Sequence, residues 1–311
     1  MTANVCTFVK EWNVGDPVIQ KGLSSWQQKE LAEQLKSVGS FHVNGNSFRP
    51  CGVSTSTLPA GFYDVLTDDS GLFFSTKKLG SEEITIFDSN NMSKVLDVVN
   101  QFWSQADVFR NAKLRHKIGI LLYGIPGTGK TSLVNLLARN IINSGGYALA
   151  LSNILLFPYA YEALRRFEPK KPILIAVEDL DGFDEEQTQK LLNIIDGLED
   201  LNNIIFVSTT NYLDNIQPRM LRPCRFEHLI EIVPLDYKGR YLYLTNLCNK
   251  CDVPIDKARL VKMCTDTDGM PIVYLRDLFT SSYILELPYD EILVRLLDLH
   301  KRNLAESESS I

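Results

Sequence analysis

No stretch of this sequence is long and apolar enough to cross a membrane, because charges or prolines interrupt every candidate run. The first residues, M-T-A-N-V-C-T-F-V-K-E-W, lack a basic segment followed by an apolar one, so no secretory leader is expected and a cytoplasmic setting is. Cysteine is sparse. Six cysteines in 311 residues are too dispersed for a disulfide scaffold and read as reduced thiols. Cys248 and Cys251 form a lone C-x-x-C, but zinc requires two further ligands at matching spacing and only Cys264 lies near, so the pair reads as two thiols one turn apart on a helix. A basic excess is missing too: 32 Lys and Arg stand against 38 Asp and Glu. The net charge of −6 argues against nucleic-acid binding over a broad surface, though it permits a local basic groove. No internal repeat is present.

What is present is ordinary for a globular protein: 45% hydrophobic and 23% charged residues, in a chain long enough for two domains. In residues 1–86 a capping box at Ser25 and Gln28 opens a helix that Gly39 stops. Three short strand-like runs follow, Phe62–Leu66, Leu72–Ser75 and Glu83–Phe87, separated by turn sequences. This pattern predicts a small α+β domain with an antiparallel meander. From Ser93 the period becomes helical, to about Asn111. Apolar runs then alternate with helices: Ile118–Tyr123, Ala148–Leu151, Pro172–Val177, Ile204–Ser208 and Leu229–Ile232. Buried strands between helices predict a parallel α/β sheet over residues 87–236. Residues 237–311 read as a helical region ending in a frayed polar tail, A-E-S-E-S-S-I.

Residues 124–131, G-I-P-G-T-G-K-T, match G-x-x-x-x-G-K-[ST] in full, between a buried strand and the helical pattern Ser132–Ile142. Gly124, Pro126, Gly127, Thr128, Gly129, Lys130, Thr131 and Ser132 are therefore the candidate nucleotide-binding residues. The glycines let backbone N–H groups turn inward on a polyphosphate, the helix start adds partial positive charge, Lys130 reaches the β- and γ-phosphates, and the Thr131 hydroxyl takes Mg²⁺. A second run, P-I-L-I-A-V-E-D-L-D at 172–181, ends a buried strand in carboxylates, where open α/β sheets bind ligands. Glu178 is expected to hold Mg²⁺ and Asp179 to orient or deprotonate the attacking water. A third strand ends in Thr209, Thr210 and Asn211, whose amide suits a water or a γ-phosphate. Arg219, Arg222 and Arg225 then fall within seven residues; guanidinium suits the charge spread over a transferring phosphoryl group.

Together these segments resemble the classical AAA branch of the AAA+ ATPases from about Phe87 to Leu299. The resemblance rests on R-H-K-I-G-I-L-L-Y-G-I-P-G-T-G-K-T, the acidic pair with Asp181 behind it, S-T-T-N as sensor 1, R-M-L-R-P-C-R-F-E as the second region of homology, and T-D-G-M-P inside the lid. It implies an AAA+ core with a C-terminal helical lid, ATP and Mg²⁺, and a homo-oligomeric ring, a hexamer, with ATP between neighbours. It also implies that Arg222 and Arg225 enter the next subunit's site, and that Phe157 and Tyr159 belong to a central pore loop. The acid order Glu178–Asp179 is inverted and resembles the branch of the mitochondrial Rieske-protein translocase, whose membrane-anchored N-terminal region has no counterpart in residues 1–86. Cys224 replaces the usual glycine, and Arg276 lies near the position of a second sensor. The expected function is ATP hydrolysis that remodels or translocates a protein client. A clamp-loader or initiator acting on nucleic acid is the alternative, with K-L-R-H-K at 113–117 as its local support. A small-molecule kinase has no use for the arginine cluster and lid. The intact set of Lys130, Asp179 and Asn211 argues against a module that holds ATP without hydrolysing it.

Overall fold

The structure is a computed structural model and describes residues 40–44, 47–51, 57–68, 71–80, 87, 90–197 and 201–309. The chain divides by packing between Leu58 and Pro59. In the first unit, β1 (Ser40–Asn44) and β2 (Ser47–Cys51) form an antiparallel hairpin. The helix expected after Ser25 and most of the third strand expected to end at Phe87 lie outside the described residues.

The second unit holds a seven-stranded sheet in the order β4-β3-β6-β7-β8-β5-β9. Its strands are β3 (Gly61–Asp68), β4 (Gly71–Thr76), β5 (Lys117–Tyr123), β6 (Tyr147–Ala150), β7 (Ile173–Val177), β8 (Ile204–Thr210) and β9 (His228–Glu231). From β3 to β9 neighbours pair parallel; β4 alone runs antiparallel, as the outer strand beside β3. The three central strands, β6, β7 and β8, are buried throughout, and β5 from Gly119 to Leu122, which explains their apolar runs.

The expected boundary at residue 86 therefore moves. β3 and β4 do pair as a hairpin, but they extend the core sheet, because β3 lies parallel to β6 from Gly61↔Tyr147 to Asp64↔Ala150. Phe62, Tyr63 and Val65 are buried there, on both sides of the strand.

Helix α1 (Met92–Ser104) buries Met92, Val95, Val99 and Phe102 on one stripe against the sheet. The single helix expected to Asn111 is broken at Gln105, after which α2 (Ala106–Asn111) buries nothing. Helix α3 (Lys130–Asn143) packs Leu133, Val134, Leu137, Ala138 and Ile141 into the same core. Helices α4 (Phe157–Phe167) and α5 (Glu185–Gly197) follow β6 and β7.

The lid comprises α6 (Tyr237–Cys251), α7 (Lys257–Asp266), α8 (Ile272–Phe279) and α9 (Tyr289–Ser309), with a π turn at Thr280–Ile284. Asp236 and Asp256 cap α6 and α7 by accepting from the Gly239 and Arg259 N–H groups. The lid has its own core, including Leu244, Met263, Leu275, Leu278, Phe279 and Leu296. Cys248 and Cys251 lie on α6 one turn apart, as expected. The backbone stays helical to Ser309, further than the expected frayed tail allows. Among the described residues no helix is long and apolar enough to cross a membrane.

Candidate nucleotide site

The order of the central strands assembles the site. β5 leads into the phosphate loop and has β8 at its side; β7 lies beyond β8. The C-terminal ends of β5, β8 and β7 thus deliver the loop, Thr209–Asn211 and Glu178–Asp179 to one edge of the sheet. A cavity of about 460 Å³ opens there, lined by Pro126, Gly127, Gly129, Lys130, Thr131 and Ser132 from the loop and the start of α3, Asp179 just past β7, Thr209 in β8 and Asn211 just past it. The lid closes the far side with Tyr243, Ile272, Val273 and Arg276.

Loop conformation follows from its glycines. Gly127 has φ 83°, and a Cβ there would lie 2.4 Å from Val273 Cγ1. The Val273 N–H donates to the Gly127 carbonyl at 3.3 Å, so the start of α8 rests on the phosphate loop. Any side chain at 127 would push the lid away. Thr128 is buried and braces the loop, its hydroxyl donating to the Ile125 carbonyl at 3.1 Å.

Lys130 is buried and folds back, donating from Nζ to the carbonyls of Gly124 at 2.6 Å and Ile125 at 3.2 Å. Burial pulls its pKa down to about 8, against the pull of Asp179 and Asp181, which favour the charged form. Among the described residues the ammonium has backbone carbonyls as partners but no direct carboxylate, the state of a cation poised for an anion.

Thr131 Oγ1 donates to Glu178 Oε2 at 2.7 Å, bringing together the two groups expected to hold Mg²⁺. These are hard oxygen donors, and a hydroxyl plus one carboxylate is the protein share of a Mg²⁺ site that substrate phosphates and water complete. Asp179 is exposed, at φ 54° and ψ 54°, a left-handed conformation that costs a non-glycine residue free energy. Its N–H donates to Thr209 Oγ1 at 3.0 Å. Asp181 turns away from the cavity and accepts from Thr210 Oγ1 at 2.7 Å and from the Asn211 N–H at 3.1 Å, fixing the turn that presents Asn211.

The sequence pattern left several lining residues unmarked. Phe87 and Tyr243 meet edge to face, with ring centroids 6.4 Å apart, and with Met92, Ile272 and Val273 they make one end of the cavity apolar. Their signal in sequence is only ordinary core periodicity.

The arginines and aromatics lie elsewhere. Neither Arg222 nor Arg225 lines the cavity. Arg225 is bound within its own chain: its guanidinium pairs with Asp196 on α5, Nε at 3.0 Å and Nη2 at 2.5 Å from Oδ2, and also donates to the Arg219 carbonyl. Arg219 bonds Gln217 and Gln189 and pairs with Glu185. Arg222 is exposed and, among the described residues, its side chain has no hydrogen bond or ion pair. Between them Cys224 takes φ 68°, the left-handed conformation that suits a glycine. Phe157 is no loop residue: it begins α4, fully buried against Tyr161 and Phe206. Tyr159, one residue past Pro158, is 67% exposed.

A parallel sheet with a Gly-rich phosphate loop, a facing acidic strand end and a polar third strand end defines a P-loop nucleotide-binding domain. Residues 120–234 match the ATPase family associated with various cellular activities (AAA). It is 34% identical to the cell division cycle protein 48 homolog of Archaeoglobus fulgidus over 43% of its length. It is 27% identical to proteasome-activating nucleotidase 1 of Haloferax volcanii over 58%, and 29% identical to protein SAV of Sulfolobus acidocaldarius over 53%. The chain spans 21%, 50% and 24% of the lengths of these three relatives, respectively.

Proposed function

We propose that this protein binds and hydrolyses ATP as a ring-forming, cytoplasmic AAA ATPase, and uses the turnover to remodel or translocate a protein client. The observation that carries the reading is the meeting of Lys130, the Thr131–Glu178 pair, Asp179 and Asn211 around one cavity. ATP is the substrate: its phosphates suit the loop and Lys130, and its base suits the apolar end near Phe87 and Tyr243. Thr131 and Glu178 hold Mg²⁺, which when bound neutralises phosphate charge. Asp179 accepts the proton of the attacking water, and Asn211 positions that water.

Ring formation is supported by Arg222, which is exposed, lacks a side-chain partner among the described residues and does not serve its own cavity. It stabilises the transferring phosphoryl group in the next subunit, while Arg225, tied to Asp196, sets the segment that presents it. A relative named for proteasome activation supports a protein client. Exposed Tyr159 is the residue of the 153–161 segment best placed to touch that client. Residues before Pro59, a separate unit, select it.

Asp179→Asn tests the catalytic assignment. ATP affinity is expected to stay within about threefold, while steady-state hydrolysis falls by roughly 10²–10⁴, the usual value of a positioned general base. Near-normal turnover would move the role to Glu178.

A further inference from the structure

At the opposite edge of the sheet, a pocket of about 530 Å³ opens beside the N-terminal ends of β5, β7 and β8. Three loops build it, each running directly into one of these strands: 113–116, 169–172 and 202–203. Among the described residues four cations line it, Arg110, Lys113, Arg115 and Lys170, and no carboxylate does. Arg110 is already paired with Asp107 at 2.7 Å. Lys113, Arg115 and Lys170 are exposed and, among the described residues, none has an ion-pair partner.

The floor under these cations is rigidly built. Arg165 donates to the carbonyls of Lys171 and Asn202, each at 2.6 Å, tying two of the loops together. The Asn203 amide donates to the Lys170 carbonyl at 2.5 Å, and its oxygen faces His116 Nδ1 at 3.2 Å. Asn202 Oδ1 accepts from the His116 N–H at 3.1 Å. His116 is itself buried, stacked on Phe102 with ring centroids 3.8 Å apart.

Three cations without an ion-pair partner among the described residues, held on one concave surface, repel one another, and in a chain of net charge −6 they stand out as a local positive field. An anion with several charges close together relieves that repulsion, and phosphate groups match both the guanidinium fork and the ammonium points. The pocket's size suits a small molecule. An extended nucleic-acid backbone needs a basic stripe beyond the pocket, which the acidic balance of the chain disfavours.

We propose that this pocket binds a compact, multiply phosphorylated anion through Lys113, Arg115 and Lys170. The site is separate from the phosphate loop but shares its strands, since β5, β7 and β8 begin at one site and end at the other.

Calorimetric titration of the full chain with myo-inositol hexakisphosphate tests this. Binding is expected in the native protein and equally in Lys130→Ala, which disables the phosphate loop. Arg115→Gln and Lys170→Gln are each expected to weaken it about tenfold, and the double variant to weaken it more, with the folded fraction checked by circular dichroism. Sedimentation with phosphatidylcholine vesicles containing phosphatidylinositol bisphosphate distinguishes the source. Vesicle binding lost in the same variants assigns a lipid headgroup; soluble binding alone assigns a free phosphorylated metabolite. No binding of either probe, binding indifferent to Arg115 and Lys170, binding lost in Lys130→Ala alone, or tighter binding of single-stranded DNA would each overturn the proposal.

Discussion

At the C-terminal ends of β5, β7 and β8 the chain sets one buried lysine, Lys130, in the field of Asp179 and Asp181. At the N-terminal ends of the same strands it gathers Lys113, Arg115 and Lys170, with no lining carboxylate among the described residues. The two edges also differ in how their cations are kept. Lys130 is withdrawn from water and satisfied by its own loop, so its charge is held at a cost that an incoming phosphate repays. The lysines and arginine of the other edge stay hydrated, so each contributes little alone and much only as a set. Lys117, at the start of β5, belongs to neither group: its Nζ ties the Ile195 and Cys224 carbonyls together at 2.7 and 3.1 Å. A shared strand therefore does not imply a shared chemistry. Burial decides which cation works alone.

The largest break in this comparison is Lys130→Ala. Loss of the one buried cation of the C-terminal edge is expected to weaken ATP binding on the order of a hundredfold or more, measured by titration with a fluorescent ATP analogue. Unchanged affinity would remove the phosphate-loop assignment.

A smaller effect comes from pH. Free Lys130 titrates at about 8 rather than near 10.5, and phosphate binding favours its charged form. Between these values ATP binding should take up a proton, and affinity at ~pH 9 should be about tenfold below that at ~pH 7. Titration in two buffers of different ionisation heat reads the uptake directly. Without nucleotide the sign is opposite for folding: the unfolded chain holds more protons in that window, so this group's contribution to stability rises with pH from about 8. Absence of proton uptake would mean that Lys130 is not the residue meeting phosphate.

The smallest expected effect lies at the N-terminal edge, where Cys224 holds φ 68° and its carbonyl accepts from Lys117. Cys224→Gly should raise stability by ~1 kcal/mol in urea unfolding, because glycine enters the left-handed region without the Cβ penalty. A loss of stability would show that the thiol makes up for the strain.

The nucleotide edge was legible in the sequence because phosphate chemistry restricts residue type: Gly127 must lack a side chain where Val273 approaches, and Thr131 must carry a hydroxyl to meet Glu178. Long-range packing left no comparable mark. β3 reads as a strand of a separate meander because its partner β6 begins only at Tyr147. The partner of Arg225 is not legible from its own segment because Asp196 lies on an earlier helix. Phe157 and Tyr159 have the same look in sequence, and only helix phase sends one into the core and the other outward. The basic pocket left half a trace: K-L-R-H-K was visible, but Lys170 and the asparagines that complete it come from distant loops.

The central claim, that ATP is hydrolysed between subunits, rests on Arg222 serving a neighbour while Lys130 serves its own pocket. Arg222→Ala should bind ATP normally and hydrolyse it more slowly, by on the order of 10³–10⁵ if it acts as an arginine finger. The direct measurement is the ATPase rate of mixtures of Arg222→Ala and Lys130→Ala, each inactive alone and shown to co-assemble. The account predicts that mixing restores activity in proportion to interfaces that join an intact pocket to an intact arginine. No recovery at any ratio, with co-assembly demonstrated, would contradict it.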